Sequence, residues 1–204
     1  MTLLNPLRNP ILAAFCTVLG LAQLAGTEGR AQVPQQSTLP KSQTRPQDSA
    51  QAALKAGSPQ RSLEIAETGL KTFPNDAQLR FVRAVSLNQL NRLPEAEAAF
   101  AEITQAYPEL PEPYNNLAVV RAAQGKLDLA RAALEDAIRA VPDYPLAHEN
   151  LGDIHVQLAA RSYRNAQRLD PASRTVPPKL KLVSQVDAAQ PAPAASRLPA
   201  PRGE

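Results

Sequence analysis

Three prolines, Pro74, Pro108 and Pro142, stand 34 residues apart, and the residues between them keep the same register. A fixed period of that length admits few folds, because each period must be one structural unit that buries its apolar face against the next. Gly57, Asn91 and Gly125 align in this register, and all three are residue types that accept the left-handed backbone of a tight turn. Ser62, Ala96 and Ala130 align as small residues where two helices approach closely. Ala66, Phe100 and Leu134 follow four residues later on the same helical face. Ala84, Ala118 and Gly152 form a further small set in the first helix of each unit. Each unit therefore reads as helix, turn, helix, then a proline that cannot continue the helix and turns the residue before it out of helical backbone.

The composition agrees, with 44% hydrophobic residues, only 4% aromatic ones and no tryptophan. Alanine supplies much of the apolar share, which suits close-packed helices better than strands.

The stretch PYNNLAVVRAAQGKLDLARAALEDAIRAVP resembles a tetratricopeptide repeat, matching at Tyr114, Leu117, Ala118, Gly125, Ala130, Leu134, Ala137 and Pro142. The resemblance implies an all-α fold, a right-handed α-α superhelix (TPR solenoid) of about 3.5 helix-turn-helix repeats with a C-terminal capping helix. The domain would span 48–176, with repeats at about 48–76, 77–110 and 111–144 and a truncated fourth at 145–171. The first repeat has only DSAQAALKAG as a stub of its first helix, and Ser58 reads as an N-cap before Pro59. The second carries Arg83 where leucine is usual and Ile103 where alanine is usual, with Leu79 and Phe81 expected to fill the shifted packing. The fourth is five residues short and lacks a turn glycine, so residues 146–169 read as one continuous helix or a strongly truncated pair. The amphipathic stretch PPKLKLVSQV then suggests a capping helix over 177–187, covering the open end of the solenoid.

The N-terminus has one basic residue, Arg8, before an apolar run from Ile11 to Ala25 that is short for a bilayer span. This predicts a secretory signal peptide over 1–31, cut near Ala31, and an exported, periplasmic protein, with an uncleaved inner-membrane anchor as the rival reading. Cys16, the only cysteine, lies in that run behind Phe15, which lacks the small side chain lipoprotein processing expects. The mature chain would then have no disulfide, thiolate ligand or cysteine nucleophile. The Pro-rich stretches 32–47 and 188–204 are expected to be a disordered linker and tail.

The only two histidines fall in HENLGDIH, His148 to His155, beside Glu149 and Asp153. Seven helical residues separate the rings by about 10 Å, whereas two donors on one zinc lie roughly 3 to 3.5 Å apart. Histidine pairs that hold metal on helices are spaced i, i+4, and this pair is not. In the 34-residue register His148 aligns with Tyr114 and His155 with Arg121, positions where the family packs bulky side chains between paired helices. The chain has no phosphate loop, nucleophile elbow or zinc spacing either, so no enzyme activity, metal or cofactor is expected. A hydrolase centred on His148 is kept as an alternative.

By resemblance, the family meets its ligands on the concave face, from the first helix of each unit. Here those positions give Phe81, Val85 and Asn88 in repeat two, Asn115, Asn116 and Val119 in repeat three, and Glu149, Asn150 and Asp153 in repeat four. The expected partner is a protein, met as a peptide segment or helix. Asn116 and Asn150 match an asparagine the family uses to bond peptide backbone, but Phe81, Asn115 and Glu149 stand where a carboxylate clamp needs lysine. A second alternative uses the basic C-terminal end: Arg161, Arg164, Arg168, Arg174, Lys179 and Lys181 are opposed only by Asp170 and could touch an anionic envelope surface. No nucleic-acid partner is expected, since the basic end lacks stacking aromatics.

Overall fold

The structure, a computed structural model, describes residues 45–189, which form eight α-helices. They are α1 (Pro46–Lys55), α2 (Pro59–Thr72), α3 (Ala77–Gln89), α4 (Leu93–Ala106), α5 (Pro111–Ala123), α6 (Leu127–Ala140), α7 (Pro145–Leu169) and α8 (Val176–Ala189). Each packs on the next in sequence. The first helices also touch one another, α1 with α3, α3 with α5 and α5 with α7, while no two second helices do among the described residues. The chain is thus an all-α tetratricopeptide-type solenoid whose first helices line the inner face. The stretch expected to be a signal peptide, most of the expected linker and the expected tail from 190 onward lie outside the described residues; α1 begins at Pro46, inside the expected linker, and α8 ends at Ala189, inside the expected tail.

The three turns are built alike. Gly57, Asn91 and Gly125 adopt φ of 72°, 57° and 75°. The amide after each donates to the carbonyl five residues back, Ser58 to Ala53 at 3.0 Å, Arg92 to Leu87 at 2.9 Å and Lys126 to Arg121 at 2.9 Å. This closes the preceding helix as a Schellman turn. At the other end, Phe73, Tyr107 and Val141 leave helical backbone just before the periodic prolines, as the clash with the proline ring demands. Ser58 does stand at the N-cap of α2, yet its hydroxyl makes no capping bond. It follows the left-handed Gly57 at ψ 68°, away from the extended backbone from which a cap side chain reaches the helix amides.

The core follows the register: Ala66, Phe100 and Leu134 are fully buried, as are Ser62, Ala96 and Ala130. Ser62 is no alanine, and its hydroxyl lies 2.9 Å from that of Ser86 across the α2–α3 contact. In repeat two, Leu79 and Phe81 are buried, the Phe81 ring meeting Phe100 edge-on with centroids 5.7 Å apart, while Arg83 turns outward to Glu67 at 3.7 Å.

The last repeat departs from its predecessors in the way its missing turn predicts. α7 runs unbroken for 25 residues, and α8 folds back to touch α7 alone. Because the hairpin turns near Asp170 and not after the thirteenth residue, its second helix is displaced along α7 toward the C-terminus. The first half of α7 is left without the neighbour that α6 provides for α5.

Candidate functional site

Repeat three shows how the inner face is built. Asn115 and Asn116 occur on α5, an Ala- and Val-rich helix started by Pro111 at its first position, where a missing N–H costs nothing. Asn150 of α7 reaches back and donates to Asn115 Oδ1 at 2.7 Å, and Asn116 Nδ2 donates to the Glu112 carbonyl at 2.8 Å. Three neighbouring side-chain atoms stay unpartnered and shut off from water: Asn115 Nδ2, Asn116 Oδ1 and Glu112 Oε2. Glu112 was not singled out from sequence. Nearby, burial pushes the Tyr144 hydroxyl up to about 12, with the negative charge of Glu112 adding to the effect.

The nine inner-face residues fall into two groups. Phe81, Val85, Asn115, Asn116, Val119 and Asn150 are buried, and Phe81 and Val85 belong to the continuous core. Asn88 and Asp153 are half-buried, and Glu149 is exposed. The structure therefore joins Asn115 to Asn150, sets the buried Asn116 next along α5 with its own bond to Glu112, and leaves Glu149 exposed.

The histidines do not pack between paired helices, contrary to the reading from register. Both are exposed, and the His148 ring meets the Pro142 carbonyl at 2.8 Å. The second helix that should cover them lies further along α7. No group of three histidines, cysteines or acidic residues gathers to hold a metal among the described residues. At the basic end, Arg161 is engaged by Asp128 of α6 at 2.8 Å, and the Lys179 ammonium sits 6.0 Å above the Tyr163 ring.

On the outer side Glu97 of α4 latches repeat two to repeat three. Lys126 Nζ approaches it at 2.7 Å, Gln124 Nε2 at 3.0 Å and Arg121 Nε at 3.1 Å. These donors, Lys126 foremost, hold the Glu97 carboxyl below its ordinary range although desolvation works against them. A folded-state pKa that is depressed means stability present above the unfolded value and lost as pH falls. Glu97→Gln should therefore cost about 1 kcal/mol at pH 7, the scale of a single hydrogen bond. The gap to the parent should shrink below about pH 4.3, the unperturbed glutamate value. Urea titrations of both proteins at a series of pH values check this, and a gap that stays constant down to pH 3 would contradict the latch.

A family model described as tetratricopeptide repeat matches residues 48–111, and one described as TPR repeat matches residues 120–158. Among solved structures, one described as the crystal structure of MamA protein is 15% identical, the match spanning 70% of this chain and 81% of that one with a TM-score of 0.52. A second MamA structure, labelled AMB-1, is 19% identical over 72% of this chain and 73% of that one, at a TM-score of 0.47. The first likeness is one of fold alone. No curated protein matches the sequence.

Proposed function

We propose that this chain, which belongs to the tetratricopeptide repeat family, is a non-enzymatic scaffold of the bacterial cell envelope that holds a peptide segment or partner helix along its inner face. Repeats of this family bind protein partners, and a stack of helix pairs presents an extended surface for them. The observation that carries the peptide reading is the polar cluster on α5. Asn115 Nδ2 is an unused donor and Asn116 Oδ1 an unused acceptor on adjacent residues, both closed to water. Each such atom costs about 1–3 kcal/mol. A peptide backbone offers a carbonyl and an N–H at short spacing, and one laid along α5 meets these two buried atoms once the amides turn outward to it, which removes both costs at once. The envelope assignment rests on Arg8 and the apolar run Ile11 to Ala25, which have the order of a secretory signal.

A photo-crosslinking residue placed in cells at Asn88 or Glu149, the accessible positions that flank the cluster, should capture a discrete envelope protein. The same residue at Glu135, exposed on α6, should not. Equal capture from Glu135 would remove the inner face from consideration.

A further inference from the structure

The hairpin of α7 and α8 carries charge of the opposite sign to the repeats before it. Residues 161–187 hold six Lys and Arg against two carboxylates, Asp170 and Asp187, whereas residues 58–143 hold nine Lys and Arg against twelve carboxylates. Arg161 is taken by Asp128. Arg164, Arg168, Arg174, Lys179 and Lys181 are exposed, and none of them has a carboxylate within ion-pair distance among the described residues.

The same hairpin holds three of the five exposed large apolar side chains among the described residues: Leu169 is 76% exposed, Leu182 63% and Val186 49%. None of the three belongs to the packing of α8 on α7, whose half-buried side is Val176, Leu180, Val183 and Asp187. Leu182 and Val186 stand one turn apart on another flank of α8, and Lys179 shares that flank three residues before Leu182. Leu169 ends α7 at the tip of the hairpin. The position is open too. α6 begins at Leu127 and its Asp128 meets Arg161, so the last eight residues of α7 run on past α6 with α8 as the helix beside them.

We propose that the α7–α8 hairpin docks on the surface of a bilayer that contains anionic lipid, its unpaired cations at headgroup level and Leu169, Leu182 and Val186 entering the acyl boundary. Headgroup phosphates meet the charge and acyl chains meet the apolar side chains, a combination that other polyanions do not offer. A soluble polyanion answers the cations and leaves the leucines in water. The acidic repeats of a second copy answer the cations as well, but outside the hairpin their exposed large apolar side chains, among the described residues, are Phe73 and Leu129, on different repeats. No helix among the described residues is long and apolar enough to cross a membrane, so the contact stays at the surface. The acidic repeats are repelled by the same headgroups, which turns the hairpin toward the bilayer and keeps the inner face clear for a partner. The docking goes beyond the binding at the inner face and does not depend on it.

The lone native cysteine makes the test direct. In the full chain carrying Cys16→Ser, a polarity-sensitive fluorescent label attached through Leu182→Cys should shift to the blue on adding vesicles of phosphatidylcholine with phosphatidylglycerol. It should not shift with phosphatidylcholine alone, and the same label at Glu135→Cys, exposed on α6, should shift with neither. A reading taken at one position separates the hairpin from the apolar run Ile11 to Ala25, which partitions into lipid on its own account. Arg168→Glu, Arg174→Glu and Lys179→Glu together should lower the partition of the hairpin label into anionic vesicles at least tenfold. Leu169→Ser with Val186→Ser should also lower it, with helix content by circular dichroism unchanged because both side chains are exposed. No shift on anionic vesicles overturns the proposal, and so does an equal shift on neutral ones. A partition that survives Leu169→Ser with Val186→Ser marks a site for polyanions in general and overturns the bilayer. A shift that appears without lipid as protein concentration rises puts a second copy on the hairpin and overturns it too. Capture at Asn88 is read separately, so the failure of either result leaves the other standing.

Discussion

Phe100→Ala should cost about 3–5 kcal/mol, the range for a fully buried phenylalanine truncated to alanine. The ring is 0% exposed and lies on α4 at the centre of the described helices, where it also meets Phe81 edge-on. Such aromatic pairs add about 0.5–1.5 kcal/mol beyond their buried area. The loss should not remain local. In a solenoid each repeat is held by its own core and its two interfaces, so emptying the core of repeat two uncouples α1 and α2 from α5 onward. Urea unfolding followed by circular dichroism should therefore show a lower midpoint and a broader transition. Phe73→Ala is the control, the same side chain but at the C-cap of α2 and 50% exposed. It should stay within about 0.5 kcal/mol of the parent. Equal losses in the two variants would mean that the 34-residue register does not define the core.

That register was readable because its signals are local. A left-handed φ at Gly57, Asn91 and Gly125, a proline that stops a helix and a small residue at a helix crossing each depend on a few bonds of neighbouring chain. The unbroken α7 was one of the two readings left open by the lack of a turn glycine and of any proline between Leu146 and Leu169. What covers a helix is decided elsewhere. Nothing in HENLGDIH records that the second helix of its repeat begins only at Val176, so the alignment of His148 with Tyr114 and His155 with Arg121 assigned them neighbours they do not have. The same holds for the inner face. The positions of Asn115 and Asn150 followed from the register, but the bond between their amides, and the orphaned atoms it leaves, depend on how far apart α5 and α7 settle.

Those orphaned atoms give Asn115 and Asn116 opposite expected effects on stability. Asn116→Leu removes an acceptor that has no partner and strands nothing, because the Glu112 carbonyl that Asn116 Nδ2 meets lies within helix α5 and keeps its backbone bond there. Replacing an unsatisfied polar group by an apolar one of similar size is neutral to stabilising, so the variant should match or exceed the parent by up to about 1 kcal/mol. Asn115→Leu removes the acceptor of Asn150 Nδ2 and leaves that buried amide alone, which should cost about 1–3 kcal/mol. For binding the two should agree. Each loses one hydrogen bond that its amide, turned outward, would make to a bound peptide backbone, and affinity for a partner captured at Asn88 should fall at least tenfold, or about 1.4 kcal/mol. A protein that is more stable and binds less well is the outcome that separates a ligand site from a packing flaw. Were the Asn116 amide only an imperfection of the core, Asn116→Leu would raise the melting temperature and leave the partner's affinity where it was.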